Sequence, residues 1–260
     1  MLKPYLKILG LLLLCSPACK TTDQPAARET PLPGFAWLYN GQDLDNWYVV
    51  TDDKGQDKDL FVAERDWVHV YKDQEAISMQ SFGGLITKEE YGTFTLRFEY
   101  RWGEKKFRPR QDYVRDAGVV FHVHGEDKIW PNGVECQIQE GDTGDLWLIG
   151  TQVSSRVNPV VWNYKADGEL QTKGDRERRF QRFPRSFSWE KPGWNLVELQ
   201  VEEDHARFLI NGHLVNEAID MKYWDETRAA WLPLKSGKIL LQAEGAEIYY
   251  RNIQLRPSVD

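Results

Sequence analysis

The sequence predicts an all-β fold, an antiparallel β-sandwich or jelly roll, and three observations lead there. Phe94, Leu96, Phe98, Tyr100 and Trp102 alternate with Thr95, Arg97, Glu99 and Arg101, the period of two of a strand with one buried and one displayed face. The alternation recurs at residues 134–139, 197–201 and 239–244. Residues 208–210 and 213–215 flank Asn211-Gly212, a dipeptide that accepts the positive φ of a two-residue hairpin turn. No amphipathic helical pattern longer than about three turns competes with these strands.

At the N-terminus, Lys3 and Lys7 bracket the approach to an apolar run at residues 8–14, too short to cross a bilayer as a mature helix and read as an export signal. Ser16-Pro17-Ala18 precedes Cys19, which is similar to a bacterial lipoprotein signal whose cysteine becomes the acylated first residue. Cleavage without lipid is the alternative. The expected organisation is a signal peptide over residues 1–18, a flexible tether over 19–33 rich in Thr, Ala, Pro and charge, and one sandwich domain over 34–260. The expected location is periplasmic or at the outer membrane, touching lipid only through the anchor. After cleavage before Cys19, Cys136 is the one possible thiol inside the domain, so no internal disulfide can form and the core must hold the fold.

Composition narrows the function. The chain has 260 residues, 41% hydrophobic and 28% charged, enough for a large core and inconsistent with disorder. Lys and Arg total 33 against 40 Asp and Glu, a net charge of -7, so there is no positive field for phosphate backbones and nucleic acid is not an expected partner. The 11 Trp and 11 Tyr suit strands and also the apolar faces of sugars. Residues 103–116 and 165–193 are polar, with Pro and Gly, and read as long loops. The second carries Arg176, Arg178, Arg179, Arg182 and Arg185; it is either an anion contact or, as we favour, a solvated loop balanced by Asp175, Glu177 and Glu190.

Period two then sorts the polar groups. Arg97, Glu99 and Arg101 share one strand face, Glu135, Gln137 and Gln139 another, Gln242 and Glu244 a third. Guanidinium, amide and carboxylate groups in such rows suit sugar hydroxyls, which both donate and accept hydrogen bonds; an ordinary solvated face is the alternative. His122 and His124 share a face by the same count, as metal ligands, a general base or structural histidines.

The motifs DAGVVFHVHGEDKIWPNGVECQIQEGDTGDLWLIG (residues 116–150), GFAWLYNGQDLDNW (34–47), GGLITKEEYGTFTLRFEYRW (83–102) and QAEGAEIYYRNIQL (242–255) together resemble the 3-keto-disaccharide hydrolase domain family. The resemblance implies a concanavalin A-like sandwich acting on glycosides oxidised at ring carbon 3. Glu135 and Gln137 match the family's Glu-x-Gln strand, and Gln242 and Glu244 its late strand motif. Asp116-Ala117-Gly118 stands where many relatives read Asn-Ser-Gly, and His122 where many have Arg.

A carbonyl at C3 acidifies the C2 hydrogen, so the chemistry asks for a base beside C2, an electropositive group at the enolate oxygen and donors that fix the ring. The expected assignments are Glu135 or His122 as base, Arg101 or a bound cation at the oxygen, and Trp130 as stacking surface. Gln137, Gln242 and Glu244 position the sugar, with Arg97, Glu99, His124 and Asp145 as further contacts. No cofactor is required; a divalent metal stays open. Three alternatives remain: a carbohydrate-binding module without chemistry, a cell-surface interaction domain, and a retaining glycosidase of the laminarinase type. The last needs two carboxyls about 5 Å apart, and Glu135 and Glu140 have opposite strand parity.

Overall fold

The longest alternating segment of the sequence forms an interior strand of one of two stacked antiparallel sheets. The computed structural model describes residues 30–52 and 59–257; the expected signal peptide and Cys19 lie outside these residues. In chain order the strands are β1 (Ala36–Trp37), β2 (Trp47–Thr51), β3 (Phe61–Ala63), β4 (Trp67–Val70), β5 (Gly83–Thr87) and β6 (Phe94–Lys106). The middle of the chain supplies β7 (Asp116–His124), β8 (Asn132–Gln139), β9 (Leu146–Ile149), β10 (Thr151–Val157), β11 (Glu169–Lys173) and β12 (Phe180–Phe183). The set is completed by β13 (Asn195–Glu202), β14 (His205–Ile210), β15 (His213–Asp225), β16 (Ala230–Pro233), β17 (Lys238–Ala243) and β18 (Ala246–Pro257). There is no helix among the described residues.

The larger sheet runs β11-β10-β15-β14-β13-β6-β18-β4-β3, with β1 on β18 and β16 on β15; the smaller runs β12-β9-β8-β7-β17-β5-β2. Both loops expected from composition are shorter than read. β6 continues to Lys106, and β11 and β12 lie inside the 165–193 segment, where mostly polar strands at sheet edges carry no alternation to announce them. The Asn211-Gly212 hairpin forms as expected, with φ of 50° and 83°.

In β6, Phe94, Leu96, Phe98 and Tyr100 turn inward and meet the inward residues of β13 and β18 and of the facing sheet, such as Phe121 and Ile138. Burial of this interior, rather than a disulfide, holds the sheets together; Cys136 is a free, buried thiol. β7 and β17 are covered on both faces. On the outer face of the smaller sheet Ile86, Val120, Val123, Ile149 and Leu240 form a second apolar cluster, flanked by Tyr48 and Val50. That cluster fills one half of the face. The rest of the face is mainly polar, with Trp147 opposite Glu135.

Candidate active site

β8, β7 and β17 are neighbours in the smaller sheet, and their register sets what stands on its outer face. Glu135 lies opposite Val120, Gln137 opposite Gly118 and Gln139 opposite Asp116. On the other side of β7, Leu240 lies opposite Val120, so period two carries Gln242 and Glu244 along the same face. Three carboxyls thus converge, Asp116, Glu135 and Glu244, at 5%, 6% and 7% exposure.

One guanidinium serves them. Arg110 donates from Nη2 to Asp116 Oδ2 at 2.5 Å and from Nη1 to Glu244 Oε2 at 3.1 Å. Gln137 Nε2 donates to Asp116 Oδ1 at 2.9 Å, and Trp130 Nε1 to Glu244 Oε1 at 2.6 Å. Space for Glu135 and Gln242 comes from Gly118, where a Cβ would lie 2.1 Å from Glu135 Oε1 and 2.2 Å from Gln242 Oε1. Any larger residue would displace both groups.

Three buried acids around one cation cannot all ionise at neutral pH. Burial first, then the negative charges of Glu244 and Asp116, push Glu135 well above the usual carboxylate range, which favours its protonated form. Glu244 is lifted by burial and by Asp116 to about 7, with the Trp130 N–H and Arg110 opposing the rise. Asp116 is raised by burial despite Arg110. The cluster therefore presents one carboxylic acid and one carboxyl that titrates near neutrality. Gln242, 1% exposed, lies close enough to Glu135 to oppose part of its rise, yet neither its amide nitrogen nor its oxygen makes a hydrogen bond of regular geometry.

Trp130 leans over the cluster from the β7–β8 connection, its ring centroid 5.8 Å from that of Phe82. Arg179 clamps this connection by donating to the Trp130 carbonyl oxygen and, at 3.2 Å, to Asn132 Oδ1. The other four arginines of the 165–193 segment pair with acids: Arg176 with Glu226, Arg178 with Asp175, and Arg182 and Arg185 with Asp142 and Asp145. Of the three acids expected to balance the segment, only Asp175 pairs with one of these arginines among the described residues; Glu190 accepts from Tyr100 and Trp102 instead, and Glu226, Asp142 and Asp145 supply the other counter-charges from outside it.

Of the residues expected at the site, the fold brings together Glu135, Gln137, Gln242, Glu244 and Trp130. It places the rest elsewhere. Arg97, Glu99 and Arg101 face outward from the larger sheet: Arg97 pairs with Glu198 at 3.0 Å, Glu99 accepts from Arg251 and Asn252 at 2.9 and 2.7 Å, and the Arg101 guanidinium lies 5.0 Å from the Trp194 ring and 4.6 Å from Tyr249. Parity had given their common face correctly, but nothing in one strand says which sheet it joins. Asp145 is fully buried under Arg182 and Arg185, accepting from Arg182 Nη1 at 3.0 Å and from Arg185 N and Nη1 at 2.9 Å each. It closes an ion cage rather than meeting a sugar.

The histidines are displaced by a β-bulge. The β7–β8 register shifts between Phe121 and His124, and His122 takes a φ of 49°. The extra residue puts Val120 and Val123 on one face and turns His122 toward Phe94 of the other sheet, with ring centroids 6.2 Å apart. His124 lies beside Tyr223, at 5.7 Å between rings. Neither is placed as a base for the Glu135 cluster. Among the described residues no group of three or more His, Cys, Asp or Glu side chains is spaced to hold a metal ion.

His122 carries a pH prediction. Burial lowers its pKa from 6.5 to about 4, so the unfolded chain takes up the proton at a higher pH than the folded one. Its contribution to stability is full above pH 6.5 and is lost as pH falls toward 4, by about 3 kcal/mol in all. Urea unfolding of the wild type and of His122→Gln at pH 7.5 and 4.5 checks this: the wild type should lose more stability on acidification by that margin.

Arg110 and Asp116 are the two members of the cluster that the sequence reading missed as site residues. Asp116 carried a signal, since it shares the parity of Gly118 and Val120. Arg110 lies in the turn after β6, where no period exists to aim it.

A two-sheet antiparallel sandwich carrying clustered acids, amides and a tryptophan on one sheet face is the build of a carbohydrate-active domain. The family model for the 3-keto-alpha-glucoside-1,2-lyase-like domain matches residues 34–256, and the chain belongs to that family. Two solved structures of candidate glycosyl hydrolases from Parabacteroides distasonis share the fold. One is 16% identical, with a TM-score of 0.52 over 87% of this chain and 95% of the other. The second is 18% identical, with a TM-score of 0.51 over 86% and 99%. No curated protein sequence matches the chain.

Proposed function

We propose that the domain cleaves the glycosidic bond of glycosides carrying a ketone at C3, by elimination across C1 and C2. The observation that carries this is the cluster on the smaller sheet, which offers a carboxyl titrating at about 7 (Glu244) beside a carboxylic acid (Glu135) and a guanidinium (Arg110). Glu244, ionised, takes the proton from C2. The electron pair moves to the C3 oxygen as an enolate, which accepts hydrogen bonds from the Glu135 acid and the Arg110 guanidinium. The enolate collapses, C1–O breaks, a C1–C2 double bond forms, and the aglycone oxygen takes the proton back from Glu244. Addition of water across that double bond gives net hydrolysis. Glu135 thus acts as a donor, not as the base the sequence alone suggested, and Arg110 replaces Arg101 at the oxygen. Gln137 and Gln242 supply amides that orient the ring, and Trp130 an apolar surface.

Incubating the purified protein with a 3-keto disaccharide and with its unoxidised parent tests the reading. The keto sugar alone should release aglycone, and Gly118→Ala, which shifts Glu135 and Gln242, should slow release with little change in melting temperature. Absence of release from the keto sugar, with and without added divalent metal, overturns it; saturable binding without turnover would make the domain a binding module. We also infer export and lipid anchoring at Cys19, supported by the N-terminal sequence pattern. Labelled palmitate should enter the wild type and not Cys19→Ala; equal labelling removes the inference.

A further inference from the structure

The outer face of the larger sheet, on the far side of the sandwich from the carboxyl cluster, contains a cleft of about 590 Å³. Its floor is a transverse row built by register. Arg256 lies opposite Thr95, Thr95 opposite Gln200, Gln200 opposite Arg207 and Arg207 opposite Glu217. These residues sit on β18, β6, β13, β14 and β15, five consecutive strands. With strands about 4.8 Å apart, the row runs roughly 19 Å across the sheet.

Chemistry along the row alternates guanidinium, hydroxyl, amide, guanidinium and carboxylate. The charges cancel, because Arg207 and Arg256 are matched by Glu217 and by Glu202 on the rim, so no net field favours an anion. Donors and acceptors are both on offer. Arg207 meets protein only through Nε, 3.5 Å from Glu217, among the described residues. Gln200 donates to Glu198 at 2.6 Å, and its carbonyl oxygen accepts no side-chain hydrogen bond among the described residues. Phe94 and Val201, each 2% exposed, turn into the core beneath and leave the floor polar. A neutral ligand whose groups each donate and accept, strung along a chain, matches that set.

We propose that this cleft is a second, non-catalytic saccharide site that takes a neutral oligosaccharide laid across the strands. It shares no residue with the Glu135 cluster and does not depend on the activity proposed there. Its effect would be to keep the domain on a glycan while the opposite face stays open to the reacting sugar.

Calorimetric titration of the full-length protein with maltotetraose, cellotetraose and laminaritetraose tests this, with tetragalacturonate as the anionic comparison. At least one neutral tetrasaccharide should bind, and Gln200→Ala and Arg207→Ala should each weaken it about tenfold while Glu135→Gln leaves it unchanged. Both altered side chains point away from the core; should Arg207→Ala lower the melting temperature, Arg207→Lys and Thr95→Val carry the test. Lack of binding by every neutral probe, binding by the anionic probe alone, or binding untouched by the cleft variants overturns the proposal. Neutral binding without turnover of the keto sugar would remove the proposed activity and leave the cleft standing.

Discussion

Glu244→Gln is expected to lower kcat/KM for a 3-keto disaccharide by about 10²- to 10⁴-fold, the usual contribution of a positioned base. An amide cannot accept the C2 proton, while it can still accept from the Trp130 N–H. Glu135→Gln should cost less, because an amide N–H replaces the carboxylic O–H as a donor to the enolate oxygen. The wild-type pH profile follows from the same cluster. Glu244 works ionised and its pKa is lifted to about 7, so activity should fall about tenfold for each pH unit below that value and level off above it. Steady-state kinetics of the wild type and both variants between pH 5 and 9 provide the check. A larger loss in Glu135→Gln than in Glu244→Gln would exchange the two roles.

Phe98→Ala is expected to destabilise the fold by about 3 to 5 kcal/mol. Phe98 is fully buried at the middle of β6, with its ring 5.9 Å from that of Tyr250 on the adjacent strand, and removing it leaves a cavity between the sheets that close-packed neighbours fill only in part. Arg97, one residue away, points outward and pairs with Glu198 at the surface; Arg97→Ala should cost about 0 to 1 kcal/mol. Urea denaturation of the two variants measures the difference between the faces of one strand. Similar losses would mean that the alternation of β6 does not govern its burial.

Much of the site could be read in advance because β8 and β17 are regular strands. Glu135 with Gln137, and Gln242 with Glu244, follow from parity within a strand and from the family-like motifs. The misplaced residues failed for three separate reasons. Arg97, Glu99 and Arg101 share a face as expected but belong to the other sheet, and strand pairing across distant sequence has no local signature. His122 and His124 were counted through a bulge, where one residue at positive φ reverses the parity of everything after it. Asp145 carries nothing in its surroundings along the chain to announce Arg182 and Arg185, which arrive from about forty residues downstream.

By itself the sequence determined that this chain is an antiparallel β protein, where its longest strands run, which side of each is apolar, and which family it resembles. Those properties are set by steric and hydrophobic preferences acting over a few residues. Only the tertiary structure decided that β7, β8 and β17 stand together, that Arg110 reaches the acids from a turn, and that burial pushes Glu135 well above the usual carboxylate range and Glu244 up to about 7. These depend on distances between segments far apart in the chain and on the water excluded when they meet, and both come into being only as the sheets close on one another.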